Sequence, residues 1–346
     1  MVNLSEKANE LIKKAVSGKE HIKFTIGILH EDKTSFKLFD SKGEIPYVSY
    51  LYESGSIGKT FATSLLAKYI HNDQMSLDDS VAKYIPELDD DKYYPTIKRL
   101  ATHTAGYPVR YPMTRGEMFK LIGRQLRGKQ IKAQDYVQMD YKRMIQLTKK
   151  CKLQDRDYKW SYSNFGTSLL GYAISNVAGK NYWDLMNEYL KCDLGLESSF
   201  MGTSNPEILS GYDLKNRNVG NWSLGAEDYL TPAGNITSNA SDLLKFAKMH
   251  IEENPSYLSL THVRYDMFSK HSDMGLGWWI DYKNPNVFYH GGNTDGFASM
   301  LAFDKKKKSA VVILANVNYY KEREKLFADI LENLSEVKDE IRKSND

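Results

Sequence analysis

Along this chain the apolar positions keep a helical spacing, switch to strand-like runs, return to a helical spacing over a long middle stretch, and then switch again. Leu4, Ala8, Leu11, Ile12 and Ala15 recur three or four apart and share one helical face. Charged residues interrupt this stretch too often for a signal peptide. The β-rich runs 23–30 (KFTIGILH), 35–40 (SFKLFD) and 47–52 (YVSYLY) follow, parted by turn residues at Asp32-Lys33 and Lys42-Gly43. They predict a three-strand meander. From Gly58 to Lys191 the helical period returns: Phe61, Leu65, Leu66 and Tyr69 share a face, as do Leu169, Leu170, Ala173 and Val177. Strands are predicted again at 274–281 (MGLGWWID), 287–290, 297–303 and 309–315, and a charged amphipathic helix at 321–343.

That order sets the fold class, because a three-strand meander cannot bury its faces alone. The two ends of the chain are expected to pair into one antiparallel sheet flanked by the N- and C-terminal helices, with a mostly helical domain inserted between the halves. This is an α+β architecture in which 1–57 and 225–346 form a discontinuous sheet domain and 58–224 the helical one.

Composition narrows the function. The chain has 346 residues, 41% of them hydrophobic, enough for a packed core in one large or two modest domains. Its 47 basic and 44 acidic residues leave a net charge of +3, which does not point to a nucleic-acid partner. The run Lys305-Lys306-Lys307-Lys308 reads as a solvated turn between strands. Two cysteines without CxxC spacing, Cys151 and Cys192, indicate neither a disulfide framework nor a zinc site. No stretch approaches the roughly 18 apolar residues of a membrane span, so the expectation is a soluble protein, cytoplasmic as written, and exported only if a signal was trimmed ahead of this numbering. Tyr107, Tyr111, Trp222 and Trp278 are candidate cleft-lining aromatics, although packing explains each more simply.

Three short motifs carry the chemistry. Ser56-Ile57-Gly58-Lys59 places a hydroxyl and an amine on one face of a helix start, so that the amine can take the hydroxyl proton. Ser80-x-x-Lys83 and Ser335-x-x-Lys338 match the spacing too, but only Ser56 follows a predicted strand and Gly55 and opens a helix whose free amides favour negative charge. Tyr162-Ser163-Asn164 sits in a polar turn before a helix. Tyr282-Lys283-Asn284 has the same form, so the triplet alone is weak. His290-Gly291-Gly292, at a predicted strand end, has glycines that let substrate lie against the backbone.

In this order and at these separations, the three motifs resemble the serine β-lactamase and penicillin-binding protein superfamily. The nearest likeness is to its class C branch and the related D-alanyl-D-alanine carboxypeptidases, D-aminopeptidases and carboxylesterases, which carry Tyr-x-Asn second and Lys-Thr-Gly or His-x-Gly third. SLDDSVAKYIPEL, TIKRLATHTAGYP, KWSYSNFGTSLLGYAISNVAG, TPAGNITSNASDLLKF and HGGNTDGFASMLAFDKKKKSAVVILANV extend the similarity over most of the chain.

The resemblance implies an acyl-enzyme mechanism without metal or organic cofactor. Ser56 is then the nucleophile, Lys59 its proton acceptor and Tyr162 the group that protonates the leaving group and later helps activate water. Asn164 binds the acyl amide or holds Lys59. His290, Gly291, Gly292 and Asn293 line the substrate site, the backbone amides of Ser56 and Asn293 forming the oxyanion hole. His290 stands where class C β-lactamases have lysine, and a neutral imidazole lacks the permanent charge that attracts a substrate carboxylate. The implied partner is therefore a small molecule or short peptide: a D-amino-acid peptide or amide, or a small ester. A penicillin-recognising sensor with slow deacylation, an acyltransferase of the same fold and an inactive scaffold are the competing readings. An α/β-hydrolase is disfavoured, since Ser54-Gly55-Ser56-Ile57-Gly58 is not Gly-x-Ser-x-Gly and no alternating βα run follows.

Overall fold

The computed structural model describes residues 4–89, 91–127, 139–267, 272–318, 322–330 and 332. Ser5 caps the first helix, α1 (Glu6–Val16), by accepting from Ala8 N, and the helix buries Ala8, Ile12, Ala15 and Val16. The meander then forms from β1 (Phe24–His30), β2 (Lys33–Asp40) and β3 (Gly43–Ile45). The third strand is not the predicted 47–52. Chain direction changes there, and β4 (Tyr52–Glu53) leaves the meander for a separate small sheet with β5 (Phe200–Met201) and β6 (Ile236–Ser238).

The helical stretch contains α2 (Gly58–His71), α3 (Ile97–Ala101), α4 (Arg115–Leu126), α5 (Tyr141–Lys150), α6 (Asn164–Ala178) and α7 (Tyr182–Glu188). After the short α8 (Thr231–Gly234) comes α9 (Ala240–Glu252), and strands resume with β7 (Asp266–Met267), β8 (Ser272–Met274), β9 (Trp279–Asp281), β10 (Val287–Asn293), β11 (Ala298–Asp304) and β12 (Ser309–Ala315). The predicted strand 274–281 is split because Gly277 takes a left-handed φ of +71° and turns the chain between β8 and β9. Residues 322–330 are helical, and the rest of the predicted terminal helix, with Ser335 and Lys338, lies outside the described residues apart from 332.

All nine strands of the main sheet are antiparallel, in the order β3-β2-β1-β12-β11-β10-β9-β8-β7. The N-terminal β1 pairs along its length with the C-terminal β12, from Phe24 opposite Ala315 to His30 opposite Ser309, so the ends of the chain close one sheet. One face packs Phe24, Ile26, Ile28, Met300, Val311 and Ile313 on α1 and on Leu326 and Ile330. The other face, with Leu301, Phe303, Val312 and Leu314, joins α9 and the core of the helical part. Both faces are covered, which is why β12 (SAVVILA) reads as a continuous apolar run with no alternation.

Lys305–Lys308 is the turn between β11 and β12, anchored where Lys307 N donates to Asp304 Oδ1 at 2.9 Å and Lys305 pairs with Glu253. Ser80 caps a short helical turn and Lys83 pairs with Asp79. Tyr282-Lys283-Asn284 is likewise structural, its backbone amides at 283 and 284 donating to Asp281. Cys151 and Cys192 are free thiols. Among the described residues no helix is long and apolar enough to cross a membrane.

Candidate active site

Ser56 lies in a tight turn, Gly55–Ile57, between β4 and α2. Gly55 adopts a φ of +53°, open mainly to glycine, and a Cβ on it would lie 2.7 Å from the Asn293 nitrogen. Close approach is repeated from the other side. A Cβ on Gly292 would fall 2.0 Å from Ser54 O and 2.9 Å from Ser56 N, and one on Gly234 would meet Gly55 O at 2.9 Å. The turn is thus wedged between β10 and α8 by glycines on three segments. Ser54 fixes its base, donating from N and Oγ to Ile236 O at 2.9 and 2.7 Å, while Ser54 O accepts from Ser299 Oγ at 2.6 Å.

The end of β10 is free to meet this turn because its neighbour β9 pairs with it only at Phe288 and Tyr289. At the hairpin tip Thr294 N donates to Phe297 O at 3.1 Å. Alternation along an antiparallel ladder then makes Asn293–Ala298 a non-hydrogen-bonded pair. The Asn293 amide consequently points away from β11, toward the turn that carries Ser56. Two backbone N–H groups from distant segments are brought side by side next to the Ser56 hydroxyl.

Lys59, the second residue of α2 and one turn on from Ser56, is fully buried. Its Nζ lies 3.1 Å from Ser56 Oγ, donates to Ala233 O at 2.5 Å and sits 4.8 Å above the centre of the Tyr162 ring. No carboxylate of the described residues pairs with it, and burial holds its pKa well below the usual lysine value. Asn164 opens α6 just past the Ser163 cap and has its Oδ1 buried without a hydrogen-bond partner. Lys59 is therefore held by the Ala233 carbonyl, and no hydrogen bond joins it to Asn164 Oδ1.

His290 is buried on β10, stacked on Trp279 with ring centres 5.0 Å apart and 6.4 Å from the Tyr162 ring. Its Nδ1–H donates to Gly291 O at 2.8 Å, so Nε2 carries the lone pair, and that buried atom has no partner. Burial, reinforced by the Lys59 amine, pushes its pKa down to about 3. The imidazole is neutral throughout the physiological range. Gly291 and Gly292 run past Arg323, whose Nη1 donates to Gly292 O at 2.6 Å, Ser299 O at 2.8 Å and Asn293 Oδ1 at 3.2 Å, bracing the strand from behind.

The structure thus brings the Ser56 turn, Lys59, Tyr162, His290, Gly292 and Asn293 around one cleft edge. It does not bring Tyr107, Tyr111 or Trp278 there. All three are core residues, packed on Phe165, Tyr229 and Phe246 respectively. Trp222 is half-buried and held as a brace: its N donates to Glu53 Oε1 at 2.8 Å and its Nε1 to Asp295 Oδ2 at 3.1 Å. Glu53 itself is a buried carboxyl whose pKa burial raises to about 7.

Several participants went unread in the sequence. His103 is buried with its ring 4.7 Å from Tyr162, and its Nδ1 accepts from Ser163 N at 3.3 Å, keeping the Tyr-x-Asn turn in place. Burial, then Lys59 and His290, drive its pKa well down. Its only signal was a histidine in the segment TIKRLATHTAGYP. Ala233 acts through its carbonyl and left no side-chain signal at all.

Residues 49–334 match the family model described as Beta-lactamase. The chain belongs to the Beta-lactamase family, within the serine β-lactamase and penicillin-binding protein superfamily, and has the hydrolase fold of that group. Among sequence relatives, it is 24% identical over 314 residues to a Pseudomonas fluorescens protein named Beta-lactamase, covering 78% of this chain and 80% of that one. It is also 24% identical over 285 residues to Protein flp of Staphylococcus aureus strain N315, covering 77% of this chain but only 53% of that longer one. Among solved structures, a Beta-Lactamase/D-Alanine Carboxypeptidase from Pseudomonas syringae superposes with a TM-score of 0.77 at 21% identity, covering 94% and 98% of the two chains. An octameric penicillin-binding protein homologue from Pyrococcus abyssi superposes at 0.71 with 21% identity, covering 90% of this chain and 73% of that one.

Proposed function

We propose that this chain is a serine hydrolase that forms an acyl-enzyme on Ser56 and acts on D-amino-acid peptides or amides, or on small esters. The observation that carries the reading is the buried Lys59 amine, 3.1 Å from Ser56 Oγ and paired with no carboxylate of the described residues. A neutral amine at that distance accepts the Ser56 proton as Oγ attacks the carbonyl carbon. Negative charge gathers on the carbonyl oxygen, facing the amides of Ser56 and Asn293. Such donors are worth about 3 to 4 kcal/mol each in other hydrolases. Tyr162, against the Lys59 amine, relays the proton to the leaving nitrogen or oxygen as its bond to carbon breaks. Water then enters, gives a proton back through the same groups and releases the acid.

The substrate class follows from His290. A neutral imidazole offers the Nε2 lone pair as an acceptor and no cation, which favours uncharged acyl groups over carboxylate-bearing β-lactams. The printed name of the Pseudomonas syringae neighbour includes D-Alanine Carboxypeptidase, which supports the D-amino-acid arm, and the uncharged His290 favours its neutral amides over carboxylate-terminated peptides. The test is turnover on a panel of D- and L-alanine anilides, short acyl p-nitrophenyl esters and a chromogenic cephalosporin, with intact-protein mass for adducts. Ser56→Ala should abolish turnover while circular dichroism stays unchanged. Full activity in that folded variant would refute the nucleophile, and a stable penicillin adduct on Ser56 without turnover of any substrate would replace the hydrolase by a sensor.

A further inference from the structure

Away from the cleft, one helix is built against the usual rule that a helix turns its apolar stripe inward. On α4, Met118, Ile122 and Leu126 form an i, i+4, i+8 row with Phe119 beside it, and their exposures are 51%, 44%, 83% and 72%. A cluster of four large apolar side chains in water on one helix marks a contact surface. The charges say what kind of surface. The segment 115–127 holds Arg115, Lys120, Arg124 and Arg127 against the single acid Glu117, a net +3 that equals the net charge of the whole 346-residue chain. Glu117 is already engaged, by Arg143 and by Thr114 N at 2.8 Å. Arg115 and Arg127, both exposed, bracket the apolar row at its two ends.

We propose that α4 docks this protein on an anionic lipid surface, lying in the plane of the interface. Phe119, Met118, Ile122 and Leu126 enter the headgroup and acyl boundary, while the exposed Arg115, Lys120 and Arg127, long enough to reach back, meet the lipid phosphates. A purely apolar protein partner would leave these cations unmatched. The loop leading into α4 is tied to the Tyr-x-Asn turn, because Asn164 N donates to Val109 O and Ser163 Oγ to Pro108 O, each at 2.8 Å. Docking therefore sets the substrate-binding turn close to the lipid headgroups. The inference does not depend on the acyl-enzyme reading.

The test is co-sedimentation of the full chain with large vesicles of phosphatidylglycerol and phosphatidylcholine in equal parts, against pure phosphatidylcholine, at low and at 0.5 M salt (about a 4 Å Debye length). Binding to the anionic vesicles should exceed that to the neutral ones by about tenfold or more and weaken at high salt. The double variant Phe119→Ser, Leu126→Ser should lose about tenfold, and Lys120→Glu with Arg127→Glu as much, with circular dichroism and turnover of a soluble ester unchanged. Absence of vesicle binding would overturn the proposal, as would binding that the variants leave intact. Light scattering supplies the alternative: a dimer that the Phe119→Ser, Leu126→Ser variant dissociates would assign the face to a second copy of the chain and also overturn it.

Discussion

Lys59 and His290 are nitrogen bases buried near the Tyr162 ring, and burial drives both toward their uncharged forms. For Lys59 this readies a proton acceptor at neutral pH, where an exposed lysine would be almost wholly charged. For His290 it removes the cation that a carboxylate-bearing substrate would seek. His290→Lys should therefore raise kcat/KM for a cephalosporin or a D-alanyl-D-alanine peptide relative to a neutral acyl ester by about tenfold, the worth of one charge-assisted hydrogen bond. The gain should grow as pH falls, because Lys59 and burial would also hold the new amine partly neutral. An unchanged ratio between the two substrate types would show that position 290 does not read the carboxylate.

At the scale of elements, the proposed oxyanion site depends on strands and turns approaching more closely than side chains permit. Gly292→Ala would place a methyl 2.0 Å from Ser54 O, so β10 must retreat from the Ser56 turn and take the Asn293 amide with it. Steady-state kinetics should show about a 100-fold or larger loss of kcat, comparable to deleting an oxyanion donor, whereas Gly123→Ala, with open space around it on α4, should stabilise the fold by up to ~1 kcal/mol. Sequence reading reached part of this. Regular runs such as 24–30 and 309–315 declare themselves because burial on both faces demands unbroken apolar residues, and Ser56, Lys59, Tyr162 and His290 are legible as side-chain motifs. The run 47–52 misleads because its strand-like composition is not matched by burial: Tyr47 and Val48 are exposed, and only Tyr52 enters a strand, that of the small sheet. The Ala233 carbonyl, the Arg323 brace and the His103 support lie outside any motif, since their contribution comes from where tertiary packing puts them.

Over the whole molecule, buried histidines make stability depend on acidity. His290 and His262 are held down to about 3 and about 4, and His103 and His250 well below their ordinary value, burial being the first cause in each. Each is neutral when folded but takes up a proton near pH 6.5 when unfolded, so their stabilising share is complete above that pH and is lost as pH falls toward the folded values. Near pH 5 His290 and His262 together should cost about 3 kcal/mol per pH unit, at about 1.4 kcal/mol for each proton, and His103 and His250 add to the loss in the same direction. Urea midpoints at pH 7.5, 6 and 5 should fall steeply, and a flat profile would contradict neutral burial. Lys59 acts in the same sense at higher pH. The seam between β1 and β12 has its own outcome during synthesis. A ribosome releases β12, the partner on one side of Phe24–His30, only after every helix from α2 to α9 has been made, so the early meander must wait, chaperoned or collapsed, with that edge of β1 unpaired. Prematurely terminated products that stop short of Ser309 should emerge inert and vulnerable to proteases, however complete their catalytic side chains.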